Sequence, residues 1–149
     1  MRRSPGGCER GMNAVDTNIL VRLLTADDAG RAAAAQAVFR GRVWIAKTVL
    51  LEAAWVLGKV YEFEDGAISQ AFRKVLSLST VTMEDEDGVL ASLALVDKGM
   101  EFADALHLCS RPNVHQTQGA TFVSFDRKLV QRARRAGIVN TELAGEGTT

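Results

Sequence analysis

Short runs of β-branched, aromatic and other apolar residues alternate along this chain with longer stretches of helical spacing, and nothing else in the sequence narrows its fold as much. The strand candidates are "MNAV" (12–15), "RVWIA" (42–46), "STVTM" (79–83), "ATFVSF" (120–125) and a last edge strand "IVNTE" (138–142). Between them, "TNILVRLLT" sets Ile19, Leu20, Leu23 and Leu24 on one helical side. The Ala-rich "DDAGRAAAAQAVFRG" predicts a helix capped at Gly41. "KTVLLEAAWVLGKVYE" is apolar nearly all round, which predicts a helix buried on several sides. After a turn at Glu64-Asp65-Gly66, "AISQAFRKVLSL" is amphipathic through Ile68, Phe72, Val75 and Leu76. "EDEDGVLASLALVDKG", "EFADALHLCS" and "RKLVQRARRAG" complete the helices, the last closed by Gly137. Connections this short permit only parallel crossovers, so the expected class is α/β, a three-layer α/β/α domain around a central, mostly parallel sheet.

At 149 residues the chain reads as one domain, 12–142, with disordered tails at 1–11 and 143–149 and Met12 as a candidate natural start. Eighteen Lys and Arg balance eighteen Asp and Glu, and the pI is about 6.7. That excludes a basic protein that coats nucleic acid without specificity, so any such contact must come from a local patch or from metal ions. Cys8 and Cys109 make neither a disulfide framework nor a spaced metal-ligand set. No apolar run approaches the roughly 18 residues that span a bilayer, and "MRRSPGGCERG" has no apolar segment behind its charges. The expected location is therefore the cytoplasm, with no membrane partner.

Four carboxylates stand in odd places. Asp16 and Asp126 each end a predicted strand and precede a helix, where open α/β sheets bind ligands. Each also sits where Asp is favoured simply as a helix cap. Glu52 lies inside "VLLEAAWVL", with Val49, Trp55 and Val56 on its helical face, and Asp104 repeats the pattern in "FADALHL". A buried, unpaired carboxylate costs several kcal/mol, so these two need either an ion-pair partner, Arg22 or Lys47, or a metal ion. Four converging carboxylates resist ionisation together, and a hard divalent cation, Mg²⁺ or Mn²⁺, removes that difficulty. Such a cluster can activate water and stabilise the leaving oxygen in phosphodiester cleavage.

The motifs "AVDTNILVRLL", "LLEAAWVL", "FADALHL" and "TFVSFDRKL", in this order and at these separations, resemble the PIN-domain ribonucleases, and within them the VapC-type toxins of toxin–antitoxin pairs. The resemblance runs from about residue 12 to 142. It implies a parallel sheet flanked by helices, an acidic Mg²⁺/Mn²⁺ site, selective RNA cleavage, a VapB-type antitoxin whose C-terminal segment covers the site, and a homodimer. Asp16, Glu52, Asp104 and Asp126 match the family's acidic quartet, with Asp16 and Asp104 as the most direct metal ligands and Glu52 and Asp126 binding directly or through water. Thr17 and Asn18 match the small polar neighbours that orient the first acid, and Ser124 falls where the family has Thr or Ser. Alternation puts Ser124 and Asp126 on the same side of the strand, within reach of a supporting hydrogen bond. Loop 111–119 departs from the family, being longer and more polar, and bears on substrate choice or access.

Other features carry less. His107 can share a helix face with Asp104 but reads as a packing residue, and His115 carries no signal. Glu84-Asp85-Glu86-Asp87 reads as a solvated helix start, and Glu101 has at most a supporting place near the site. Arg127 and Lys128, with Arg132, Arg134 and Arg135 behind them, supply either local phosphate contacts or a solvated helix face. Arg22 either faces substrate phosphate or pairs with a site acid. Trp44, Trp55 and the phenylalanines read as core. An aspartyl-nucleophile phosphatase wants a second acid where Asn18 stands, and a phosphate-accepting receiver domain wants an acid pair after the first strand. A PIN nuclease of RNA processing, or a PIN module that binds without cutting, remain the competing readings.

Overall fold

The computed structural model describes residues 11–112 and 119–145, and these fall into two compact units that meet in sequence at Glu84 and Asp85. The first unit contains β1 (Asn13–Ala14), α1 (Thr17–Thr25), α2 (Ala29–Phe39), β2 (Val43–Ile45), α3 (Lys47–Lys59), α4 (Asp65–Leu76) and β3 (Val81–Met83). Its sheet has the order β1-β2-β3 and is parallel throughout, with Asn13 opposite Val43 and Val43 opposite Val81. Parallel neighbours need a crossover, and each crossover here carries two helices. Val43, Ile45, Leu20, Leu50, Leu57 and Phe72 are fully buried and form the core of this unit.

The second unit contains α5 (Glu86–Asp97), α6 (Phe102–Cys109), β4 (Phe122–Ser124), α7 (Arg127–Arg135) and β5 (Thr141–Leu143). β4 and β5 pair in parallel, Phe122 opposite Thr141, with α7 as the crossover. Val89 and Leu93 of α5 and Ala105 and Leu108 of α6 are fully buried. Asp85 caps α5 by accepting the Gly88 N–H at 3.2 Å, and any side chain at Gly88 would overlap that carboxylate. The α/β class and the mostly parallel pairing expected from the sequence are found, every strand pair among the described residues being parallel.

Several local expectations need correction. α2 ends at Phe39, and its cap is Arg40, an ordinary right-handed residue whose N–H reaches Gln36 and Ala37, so Gly41 is not the cap. Asp65 and Gly66 open α4 instead of forming a turn ahead of it. The last strand begins at Thr141, not Ile138: the Ile138 N–H closes the end of α7 on Ala133, and Asn140 turns the chain at φ 56. α3 is not buried on several sides. Leu50, Ala53, Ala54 and Leu57 face the core, while Glu52, Trp55 and Lys59 form an outward stripe, Trp55 being 61% exposed. Phe125 is 86% exposed and so is not core either; Phe39, Phe72 and Phe102 are buried as expected. The tails up to residue 10 and from 146, and loop residues 113–118 with His115, lie outside the described residues.

Candidate active site

In the first unit the site begins where β1 hands over to α1. Asp16 is the N-cap of α1, and its Oδ1 accepts the Ile19 N–H at 3.1 Å. Asp28, Asp85 and Asp126 cap α2, α5 and α7 in the same way, so capping alone does not set Asp16 apart. The next residue does. Thr17 Oγ1 donates to Glu52 Oε1 at 2.6 Å, joining the first turn of α1 to the second turn of α3. The Thr17 side chain thus bonds Glu52, whereas the family resemblance set it beside Asp16. Asn18 is exposed beside it.

Glu52 itself is exposed, which overturns the expectation of a buried carboxylate in need of a partner. A helix residue flanked on both sides by leucines and alanines still faces outward when the burial stripe passes to either side of it. Arg22 is not its partner. Its Nη1 lies 2.8 Å from Asp27 Oδ1, and Asp27 also accepts from Thr25 and, at 2.7 Å, from the Tyr61 hydroxyl. The Tyr61 hydrogen bond first, and Arg22 next, hold the Asp27 carboxyl below its ordinary value, and the same bond raises the Tyr61 phenol. Arg22 thus ties α1 to the end of α3 through an acid outside the predicted quartet. The backbone N–H of Lys47 is held by Glu84 Oε1 at 2.9 Å, which gives α3 the start that Ala46 cannot cap. Glu84 accordingly belongs to α3 and not to the solvated start of α5.

In the second unit Asp126 repeats the geometry of Asp16. Its Oδ1 accepts the Leu129 N–H at 3.1 Å, and its own N–H donates to Ser124 Oγ at 2.9 Å. The Ser124 hydroxyl thus meets the Asp126 backbone and not its carboxylate. Asp104 is half-buried in the first turn of α6, where a carboxylate complements the helix dipole. His107 is exposed, and Glu101 makes no side-chain capping bond. Arg127 and Lys128 are exposed in the first turn of α7, against the helix dipole, so helix stability does not account for them.

Sequence reading missed Arg111 as a structural residue. Its guanidinium donates to the carbonyls of Leu108, Ala120, Val139 (2.7 Å) and Asn140 (2.6 Å), gathering the end of α6 and the approaches to β4 and β5. Desolvation lowers its pKa below the usual arginine value. Cys109 beside it is free and buried, and burial pushes its thiol up.

The sequence profile of the PIN domain matches residues 14–135. The chain belongs to the PIN-domain family. Its fold is therefore the three-layer α/β/α one around a parallel sheet, and its general function is that of a nuclease, as in PIN domains at large, which bind divalent metal ions. No curated protein matches the chain closely enough to refine this.

Asp16, Glu52, Asp104 and Asp126 are the acids that the sequence singled out as ligands. All four offer only carboxylate oxygens, the donors Mg²⁺ and Mn²⁺ prefer. None of the four has an ion pair among the described residues, and each capping Asp spends one oxygen on the helix and keeps the other free. Among the described residues no three His, Cys, Asp or Glu side chains are gathered into a metal-holding group. The donor set fits a hard cation in kind. No helix among the described residues is long and apolar enough to cross a membrane.

Proposed function

We propose that this PIN-domain protein is a metal-dependent endoribonuclease and acts as the toxin of a VapBC-type toxin–antitoxin pair in the cytoplasm. The observation that carries the reading is the extent of the family match, which takes in Asp16, Glu52, Asp104 and Asp126 together. In this reading residues 12–142 are one nuclease domain, and Asp16, Glu52, Asp104 and Asp126 are its metal-binding acids. Asp16 and Asp104 would hold Mg²⁺ or Mn²⁺, with Glu52 and Asp126 completing the set directly or through water.

When bound, the ion supplies an activated water and charge stabilisation at phosphorus. The chain supplies the rest. Thr17 fixes the rotamer of Glu52, and the α1 and α7 caps aim Asp16 and Asp126. Arg127 and Lys128 meet substrate phosphates that a molecule of zero net charge would otherwise not attract. Water adds to phosphorus, the bond to the leaving ribose oxygen breaks, and that oxygen takes up a proton. A VapB-type antitoxin and a second copy of the chain are the expected partners.

The test is cleavage of a structured-RNA pool with Mg²⁺, Mn²⁺ or EDTA by the wild type and Asp16→Asn. Asn caps a helix as well as Asp does, so the variant keeps its fold while losing the charge. Metal-dependent cutting by the wild type only is the expected result. Equal cutting by both proteins would remove Asp16 from the site. Expression in cells separates the toxin from an RNA-processing enzyme, because a toxin arrests growth and Asp16→Asn does not.

A further inference from the structure

The second unit holds a cavity of about 340 Å³ between the C-terminal ends of α5 and α7, and none of the four acids lines it. Lys98, Arg132 and Arg135 line it together with the apolar Leu95, Met100 and Ala136, and no carboxylate faces it. All three cations are exposed, and among the described residues their side chains have no ion-pair or hydrogen-bond partner. Arg134 between them is occupied, donating to the Thr141 carbonyl.

Cations are favoured near helix C-termini, which accounts for basic residues in these last turns. It does not account for three of them converging on one hollow, where they repel each other. Nor do the helix ends neutralise them: two termini contribute about half a negative charge each, leaving roughly two positive charges. The volume lies at the small end of the range for ligand pockets, about 300–1,000 Å³.

We propose that this cavity holds the phosphodiester backbone of a single-stranded RNA, with Lys98, Arg132 and Arg135 on the phosphates and Leu95, Met100 and Ala136 against the sugar. It is a phosphate subsite that none of the four acids lines, and the proposal rests on the reading of RNA as substrate. The zero net charge of the chain makes such a local patch the means by which a strand is retained. It adds Lys98, which sequence reading passed over, to the residues that meet RNA.

The experiment measures binding of a fluorescent twelve-nucleotide oligouridylate in EDTA, where metal-dependent cleavage is suppressed, as a function of salt. The proteins are the wild type, a triple variant (Lys98→Gln, Arg132→Gln, Arg135→Gln) and a charge-matched control (Arg40→Gln, Lys59→Gln, Lys74→Gln). Each phosphate contact on a single strand contributes about 0.7 to the slope of log affinity against log salt. From 50 to 200 mM salt the wild type should therefore lose about three-fold (one contact) to eighteen-fold (three contacts) more affinity than the triple variant. The control should follow the wild type. Equal slopes for wild type and triple variant, no binding by the wild type, or the same drop in the control would each overturn the proposal. Displacement of the RNA by AMP at equal concentration would overturn it in favour of a small phosphate ligand. Displacement by oligoglutamate would overturn it in favour of an acidic peptide. Absence of cleavage with Mn²⁺ would instead bear on the nuclease reading, since binding in EDTA is read independently of it.

Discussion

Thr17 shows how one side chain changes the meaning of a motif. In "DTN" it looks like an attendant of Asp16, yet its hydroxyl reaches a residue 35 positions away, Glu52, at 2.6 Å. That contact was illegible in the sequence because nothing local records which helix lies across from α1. If the contact positions Glu52 for catalysis, Thr17→Val should lower kcat about 10- to 100-fold, the usual cost of losing a residue that orients a metal-site acid. Thr17→Ser should restore most of it, since it keeps the oxygen. Steady-state cleavage with a thermal melt on each variant checks this; a Val variant as active as wild type would leave the hydrogen bond purely structural. Asp16 and Asp126, by contrast, were readable both as acids and as caps, and each carboxylate serves as a cap through one oxygen.

Among the elements, helix faces were read less well than helix positions. The run from Leu50 to Leu57 looked uniformly apolar, but a thirteen-residue helix on one side of a sheet has a single buried stripe, and the outward stripe fell to Glu52, Trp55 and Lys59. β5 starts late because the chain is still closing α7 at Ile138 and turns at Asn140, whose carbonyl then accepts the Phe122 N–H of β4 as well as Arg111. Arg111 holds four carbonyls from three parts of the second unit. Arg111→Lys keeps the charge but not the planar fork, so it should destabilise by about 2 kcal/mol. Urea denaturation would show this as a lower midpoint at unchanged m; an unchanged midpoint would make the four bonds dispensable.

For the molecule as a whole, pH is the accessible variable. The Arg22–Asp27–Tyr61 cluster acts at both ends of the scale. The depressed Asp27 value stabilises the fold above the ordinary carboxylate range, and that contribution is lost as pH falls through the lowered value. The raised Tyr61 value stabilises below the ordinary phenol value, about 10, and is lost as pH rises through the raised one. Asp27→Asn should therefore flatten both limbs of the stability–pH curve, with the larger difference from wild type near neutrality. Thermal melts from pH 3 to 11 measure it; parallel wild-type and variant curves would show that the cluster contributes nothing net.

The sequence by itself determined the α/β class, the order of strands and helices, the parallel pairing and the membership in the PIN family. The first three follow from periodicity, short connections and local capping chemistry, all properties of neighbouring residues, whereas the membership rests on the match of residues 14–135 to the family. Only the tertiary structure decided that Glu52 faces outward and is held by Thr17, that Arg22 is spent on Asp27, that Arg111 gathers the end of α6 and the approaches to β4 and β5, and that Lys98 joins Arg132 and Arg135 around one cavity. Each of these depends on which residues distant in sequence become neighbours, and one-dimensional spacing does not encode that.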